Sequence, residues 1–215
     1  MKSAVSFNDT WAAELAHGLD ALSFTLDAGQ QSALVGYLDV LARWNKVYNL
    51  TAVRDPDVMV RRQLLDSLSI LPWVDAGPVL DIGTGAGLPG IPLAIARPDL
   101  EFSLLDSNGK KTRFVQQAVA ELGLRNVEVI KSRIETLQRP AHYARITSRA
   151  FATLADMLEG SRDLLAGKGR WLAMKGAAPM AELRELPPGY VADVATLEVP
   201  GEIGSRHLVI VEKVA

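Results

Sequence analysis

The spacing of apolar residues changes part-way along this chain. Over the first seventy or so residues they recur at helical steps. Leu34, Leu38 and Leu41 lie four and three apart, and Leu64, Leu65, Leu68 and Leu71 form a second such set. Asp55 before Pro56 predicts a helix start, because the acid can cap and proline suits the first turn. Pro72 predicts the end of the last of these helices, since it drives its predecessor out of the helical region. From Gly77 onward short apolar runs alternate with amphipathic stretches. Val79–Ile82, Glu101–Asp106, Val127–Ile130, Ala144–Ser148 and Arg170–Met174 read as strands. Ile91–Ala96, Lys110–Leu122 and Leu154–Leu165 read as helices, the second closed by Gly123. Alternation of this kind predicts a parallel sheet with helices on both faces. The tail breaks it: Val191–Val199 and His207–Glu212 are separated by too little chain for a parallel crossover, so they should pair antiparallel. The expected organisation is a helical extension, residues 1–72, packed on an α/β core, residues 73–215.

Composition narrows the class. With 215 residues, 48% hydrophobic and 22% charged, the chain can bury one good core plus a small appended unit. No apolar run reaches membrane-spanning length, and the first residues lack a secretory pattern, so no membrane role is expected. The absence of cysteine removes disulfides and thiolate metal sites and fits a reducing compartment. A net charge of −2 gives no global attraction to nucleic acid. Any RNA grip must come from local patches such as Arg43, Lys46, Arg54, Arg61 and Arg62, or Lys110, Lys111 and Arg113, which otherwise read as solvated helix faces.

The densest chemistry lies where the first strand meets its helix. Val79-Leu80-Asp81-Ile82 runs directly into Gly83-Thr84-Gly85-Ala86-Gly87-Leu88-Pro89-Gly90. A strand, a glycine-rich turn and a helix open a nucleotide-cofactor fold. Asp81, two residues before the first of three alternating glycines, fits an S-adenosylmethionine (SAM) pocket better than a dinucleotide one. The dinucleotide spacing is also met from Gly85 to Gly90, so the register alone leaves both open. Asp106 ends the second strand, nineteen residues after Gly87, where an acid can bind both ribose hydroxyls; the alternative is a cap for the helix that follows. Ser132-Arg133-Ile134-Glu135 follows the third strand, either over an adenine, with Ile134 on its face, or as a capping box. Ser148-Arg149-Ala150-Phe151 follows the fourth, where the reacting centre should lie, and Arg149 is either functional or half of a structural ion pair.

What is missing narrows the reaction. Methylation of a pyrimidine carbon usually needs a cysteine nucleophile, and there is none. Methylation of an exocyclic amine commonly uses an Asn/Asp-Pro-Pro-aromatic turn, a place held here by Ser148–Phe151. Ring nitrogens with a free lone pair remain, such as guanine N7, for which alignment can carry most of the catalysis without a general base. Two rivals stand beside this reading: an NAD(P)-dependent oxidoreductase, and a non-catalytic RNA-binding module on a methyltransferase-like fold.

From about Leu34 to the C-terminus the chain resembles the RsmG (GidB) family of bacterial 16S rRNA guanine-N7 methyltransferases. The resemblance rests on Trp44-Asn45-Lys46-Val47-Tyr48-Asn49-Leu50-Thr51-Ala52-Val53 and Leu65-Asp66-Ser67-Leu68, on Ser107 to Lys111 and Thr147–Phe151, and on Met174-Lys175-Gly176 and Gly201 to Leu208. It implies a Rossmann-like SAM-dependent methyltransferase acting on one guanine in the decoding region of small-subunit rRNA. Such an enzyme is expected to be cytoplasmic, monomeric and metal-free. The resemblance suggests Gly83, Leu88, Ile134, Glu135 and Arg149 as cofactor contacts, with Gly85, Gly87 and Asp106 matching the general motif and Arg149 the catalytic candidate. For RNA it suggests Lys110, Lys111 and Arg206, with Asn49, Asp66 and Ser67 lining or supporting the pocket. In one place the chain departs from the family, which often has His just before Leu-Asp-Ser-Leu. Here the residue is Gln63, which can hydrogen-bond but cannot titrate.

Overall fold

The computed structural model describes residues 7–149 and 153–214. Two long helices open it, α1 (Phe7–Ala21) and α2 (Ala28–Tyr48). Asp27 caps α2 through a capping box with Gln30, and Asn49 closes it in the left-handed conformation. The leucine periodicity is expressed as expected: Leu34, Leu38 and Leu41 are buried, joined by Tyr37. Asp55 caps the short α3 (Pro56–Met59), accepting from the Asp57 amide. A π-helical segment follows, Val60–Leu65, and leads into α4 (Asp66–Leu68). Pro72 does not end that helix. The helix stops at Leu68, where the Ser69 hydroxyl donates to the Asp66 carbonyl, and Pro72 sits inside a 3-10 turn, Leu71–Trp73.

Among the described residues, seven strands make one sheet in the order β3-β2-β1-β4-β5-β7-β6. They are β1 (Val79–Ile82), β2 (Phe102–Asp106), β3 (Val127–Lys131), β4 (Tyr143–Arg149), β5 (Leu165–Lys175), β6 (Tyr190–Leu197) and β7 (Arg206–Lys213). The first five pair parallel, and β7 runs antiparallel to both β5 and β6. The expected hairpin is therefore present, with β7 slotted between β5 and β6. Helices α5 (Gly90–Ala96), α6 (Gly109–Glu121), α7 (Leu154–Ser161) and α8 (Met180–Arg184) complete the order. The helix expected to run to Leu165 ends at Ser161, and Leu165 instead opens β5, opposite Tyr143. Ser161 is locked by its own hydrogen bonds, to the Met157 carbonyl and from the Trp171 indole.

The sheet packs on two sides. Leu80, Ile82, Ile146, Trp171 and Val209 bury against α7 on one. On the other, Val79, Phe102, Leu104 and Leu172 share a single apolar cluster with Trp11, Leu15, Leu34, Leu38 and Leu41 of the N-terminal helices. No described helix is long and apolar enough to cross a membrane.

Candidate active site

Strand order reverses between β1 and β4, and in open α/β sheets ligands bind outside the carboxyl ends at such a point. The glycine turn sits there. Gly83, Gly85 and Gly87 have φ of 65°, 59° and 83°, in the left-handed region that favours glycine. Asp81 holds the turn from below rather than facing a ligand. It is fully buried, and its carboxylate accepts from the Thr84 hydroxyl at 2.6 Å, the Gly90 amide at 3.0 Å and the Thr147 hydroxyl at 3.3 Å. Burial pushes its carboxyl up to about 6, against those donors and the charge of Arg149. Tyr37 of α2 clamps the same turn from the helical side, donating to the Ala86 carbonyl at 2.6 Å.

A cavity of about 370 Å³ opens beyond the turn, lined by residues that include Gly83, Asp106, Ser107, Arg133, Ile134 and Glu135. Four of these are residues expected from the sequence as cofactor contacts: Gly83, Asp106, Ile134 and Glu135. Asp106 accepts from the Gly85 amide at 3.0 Å and from the Asn108 amide at 2.8 Å, fixing the turn to the end of β2. It does not cap α6; Asn108 does, accepting from the Lys110 and Lys111 amides. Nor do Ser132 and Glu135 form a capping box. The Ser132 hydroxyl meets Thr136 at 2.6 Å, and Ile134–Thr136 is a 3-10 turn without a side-chain cap. Leu88, in the same turn, is 3% exposed and joins the apolar core cluster. Lys110 is exposed at the start of α6, and the Lys111 ammonium lies 3.9 Å from Asp106.

Arg149 extends from the end of β4 into an internal network. Its Nη1 donates to the Arg62 carbonyl at 2.9 Å and to Asp66 at 3.1 Å, and its Nη2 donates to Gln63 at 2.9 Å. Gln63, fully buried, passes the link on by donating to the Thr51 hydroxyl at 2.9 Å, and the Thr51 amide donates to Asn45 at 2.9 Å. On the other side Asp66 also accepts from Arg206 at 3.0 Å, and Arg206 and Arg62 share Glu202. The π-helical turn makes part of this possible. The Asp66 amide reaches back five residues to the Arg61 carbonyl, and the Arg62 carbonyl, its usual helical acceptor, receives Arg149 instead. Asp66, Arg149 and Arg206 line a second cavity of about 370 Å³ with Met174, Gly176 and His207.

Two residues expected to line or support the pocket are not in the lining of this second cavity. Ser67 is fully buried and spends its hydroxyl on the Gln63 carbonyl at 2.6 Å, so it supports the network from inside. Asn49 accepts from Arg54 and lines a separate hollow shared with Trp11, Val53 and Met59. Ala150 and Phe151, the end of the Ser148 motif, lie outside the described residues. The buried Ser148 hydroxyl has no hydrogen-bond partner among the described residues. Gln63, Thr51 and Glu202 were not among the candidate site residues. Gln63 carries no charge signal, and Glu202 meets Arg62 across 140 residues of chain, beyond any local pattern.

This sheet order, with a glycine turn at the switch point and an acid closing β2, defines a Rossmann-like methyltransferase. The same fold is found in the tRNA (m1A58) methyltransferase TrmI of Aquifex aeolicus, at 16% identity and a TM-score of 0.59 over 70% of this chain and 69% of that one. It is also found in TYW2 of M. jannaschii, solved in complex with AdoMet, at 14% identity and a TM-score of 0.51 over 70% and 76%. The chain belongs to the GidB family, rRNA small subunit methyltransferase G, which matches residues 30–209. A relative in Marinobacter nauticus named ribosomal RNA small subunit methyltransferase G is 53% identical across 94% of this chain and 95% of its own. The chain is therefore an enzyme, a methyltransferase of the small-subunit rRNA family.

Proposed function

We propose that this enzyme transfers the methyl group of SAM to N7 of one guanine in the decoding region of 16S rRNA. The observation that carries the cofactor reading is the cavity beyond the glycine turn. Its volume falls within the range of small-molecule sites. A Cβ on Gly85 would have only the Gly83 carbonyl oxygen nearby, at 3.8 Å, so that side of the turn is open to a ligand. An ionised carboxylate has about four acceptor positions, and Asp106 spends two on backbone amides. The remainder can take ribose hydroxyls, while Ile134 offers an apolar face to the adenine. Bound SAM supplies an electrophilic methyl group on a sulfonium.

The protein's own task is alignment. Guanine N7 presents a lone pair, so no side chain has to remove a proton before attack, and an oriented encounter supplies the rate. The methylated base becomes cationic. Beside the second cavity Asp66 pairs with both Arg149 and Arg206, and Glu202 with Arg206 and Arg62, so two carboxylates offset part of the positive charge that faces that product. Arg149 thus acts here as a positioning residue, its guanidinium occupied by Gln63, Asp66 and the Arg62 carbonyl. Lys110, Lys111 and the outer arginines are left to grip phosphates.

The test is incubation of the purified protein with tritiated SAM and undermethylated small ribosomal subunits, followed by mapping of the labelled nucleotide. One 7-methylguanine in 16S rRNA is expected. Label on another atom or base, or no incorporation, would overturn the proposal. A parallel titration with NAD, expected to show no binding, separates it from an oxidoreductase.

A further inference from the structure

The loop between β6 and β7 holds an apolar side chain out in solvent, next in the chain to a carboxylate paired with Arg62 and Arg206. Ile203 is fully exposed, at 102% of its reference area. Single exposed apolar residues are common; the mounting of this one is not. Val199-Pro200-Gly201-Glu202 forms a tight turn, with the Glu202 amide donating to the Val199 carbonyl at 3.0 Å and Gly201 at φ 77°. Proline second and a positive-φ glycine third are the marks of a type II turn. Val199 anchors the entry by burial. Glu202 anchors the exit: its side chain is 6% exposed and ion-paired to both Arg62 and Arg206. Arg206 in turn shares Asp66 with Arg149 at the carboxyl end of β4. Ile203 therefore projects from a braced platform, one residue from a carboxylate tied to the reaction centre.

The surroundings select the partner. Arg61 packs near Gly201, and Arg62, paired to Glu202 on its inner side, is still half exposed. An apolar tip flanked by cations suits RNA, whose phosphates meet the arginines and whose stacked bases accept an aliphatic wedge. Side chains such as Ile, Leu and Met unstack base steps in this way in other nucleic-acid complexes. We propose that Ile203 enters a base step next to the target guanine, helping to unstack it so that its N7 edge reaches the methyl donor. This rests on the RNA-methylation reading above.

The experiment compares two RNA substrates carrying the mapped guanine. In one the guanine stays stacked in its native context; in the other an abasic neighbour leaves it already unstacked. Methyl-transfer rates are measured for the unaltered protein, Ile203→Asp, Ile203→Ala and Ile203→Leu. The ratio of stacked to unstacked rates is expected to fall about tenfold for Ile203→Asp and Ile203→Ala and to be restored by Ile203→Leu. Equal losses on both RNAs, or no loss on either, would overturn the wedge while leaving methyl transfer standing. Failure of the unaltered protein on both RNAs would bring down the function and the wedge together.

Discussion

At the residue scale, two glycines of one turn are required for different reasons. A Cβ on Gly90 would lie 2.1 Å from the Leu104 side chain and 2.8 Å from the Asp81 carboxylate. Gly90→Ala is therefore expected to lose about 1–3 kcal/mol of stability through overpacking, read as a lower denaturation midpoint in urea. Gly85 has open space beside it but a φ of 59°. Gly85→Ala should cost only about 1–2 kcal/mol of backbone strain, while SAM affinity measured by calorimetry falls disproportionately. Asp81 gives a pH signature. Its carboxyl is raised by burial to about 6, so the native state holds the proton more tightly than the unfolded chain. That contribution to stability is complete below about pH 4 and is lost as pH rises to about 6. Relative to Asp81→Asn, the wild-type protein should lose up to about 3 kcal/mol across that window, one pKa unit being worth about 1.4 kcal/mol. A difference that stays flat with pH in paired urea titrations would refute this.

At the element scale, most of the alternation was legible. Val79–Ile82 coincides with β1, and the antiparallel tail was deducible from loop length alone. Apolar period and turn residues are local properties, so they survive in the sequence. The misreadings occur where a local signal had two meanings. Leu165 extends the helical periodicity of α7 but belongs to β5, because pairing with Tyr143 outweighs it. Ser132 and Glu135 have capping-box spacing but flank a 3-10 turn. The π-helical turn at Val60–Leu65 carries no composition signal, yet it sets Gln63 and Asp66 toward Arg149. Gln63→Leu should remove the acceptor of Arg149 and the donor to Thr51, costing about 1–3 kcal/mol for buried groups left unpaired. Denaturation of Gln63→Leu beside Gln63→Glu checks this, since Glu restores the acceptor and should recover part of the loss.

At the scale of the whole molecule, the N-terminal helices and the sheet share one apolar cluster, with Leu15 of α1 fully buried in it. The helical extension should therefore unfold together with the core. Leu15→Ala is expected to cost about 2–5 kcal/mol and to leave far-UV circular dichroism and tryptophan fluorescence transitions coincident. Two separated transitions would make residues 1–72 an independent unit.

The sequence by itself determined the strand–turn–helix cradle, the acid at the end of β2 and the mainly parallel architecture, because each is written in neighbouring residues. Only the tertiary structure decided that Asp66 joins Arg149 to Arg206, and that Gln63 ties them to Thr51. Those groups meet across 83 and 140 residues for Asp66 and 86 for Gln63 with Arg149. A contact between distant segments exists only once the shared core has fixed the elements that carry it.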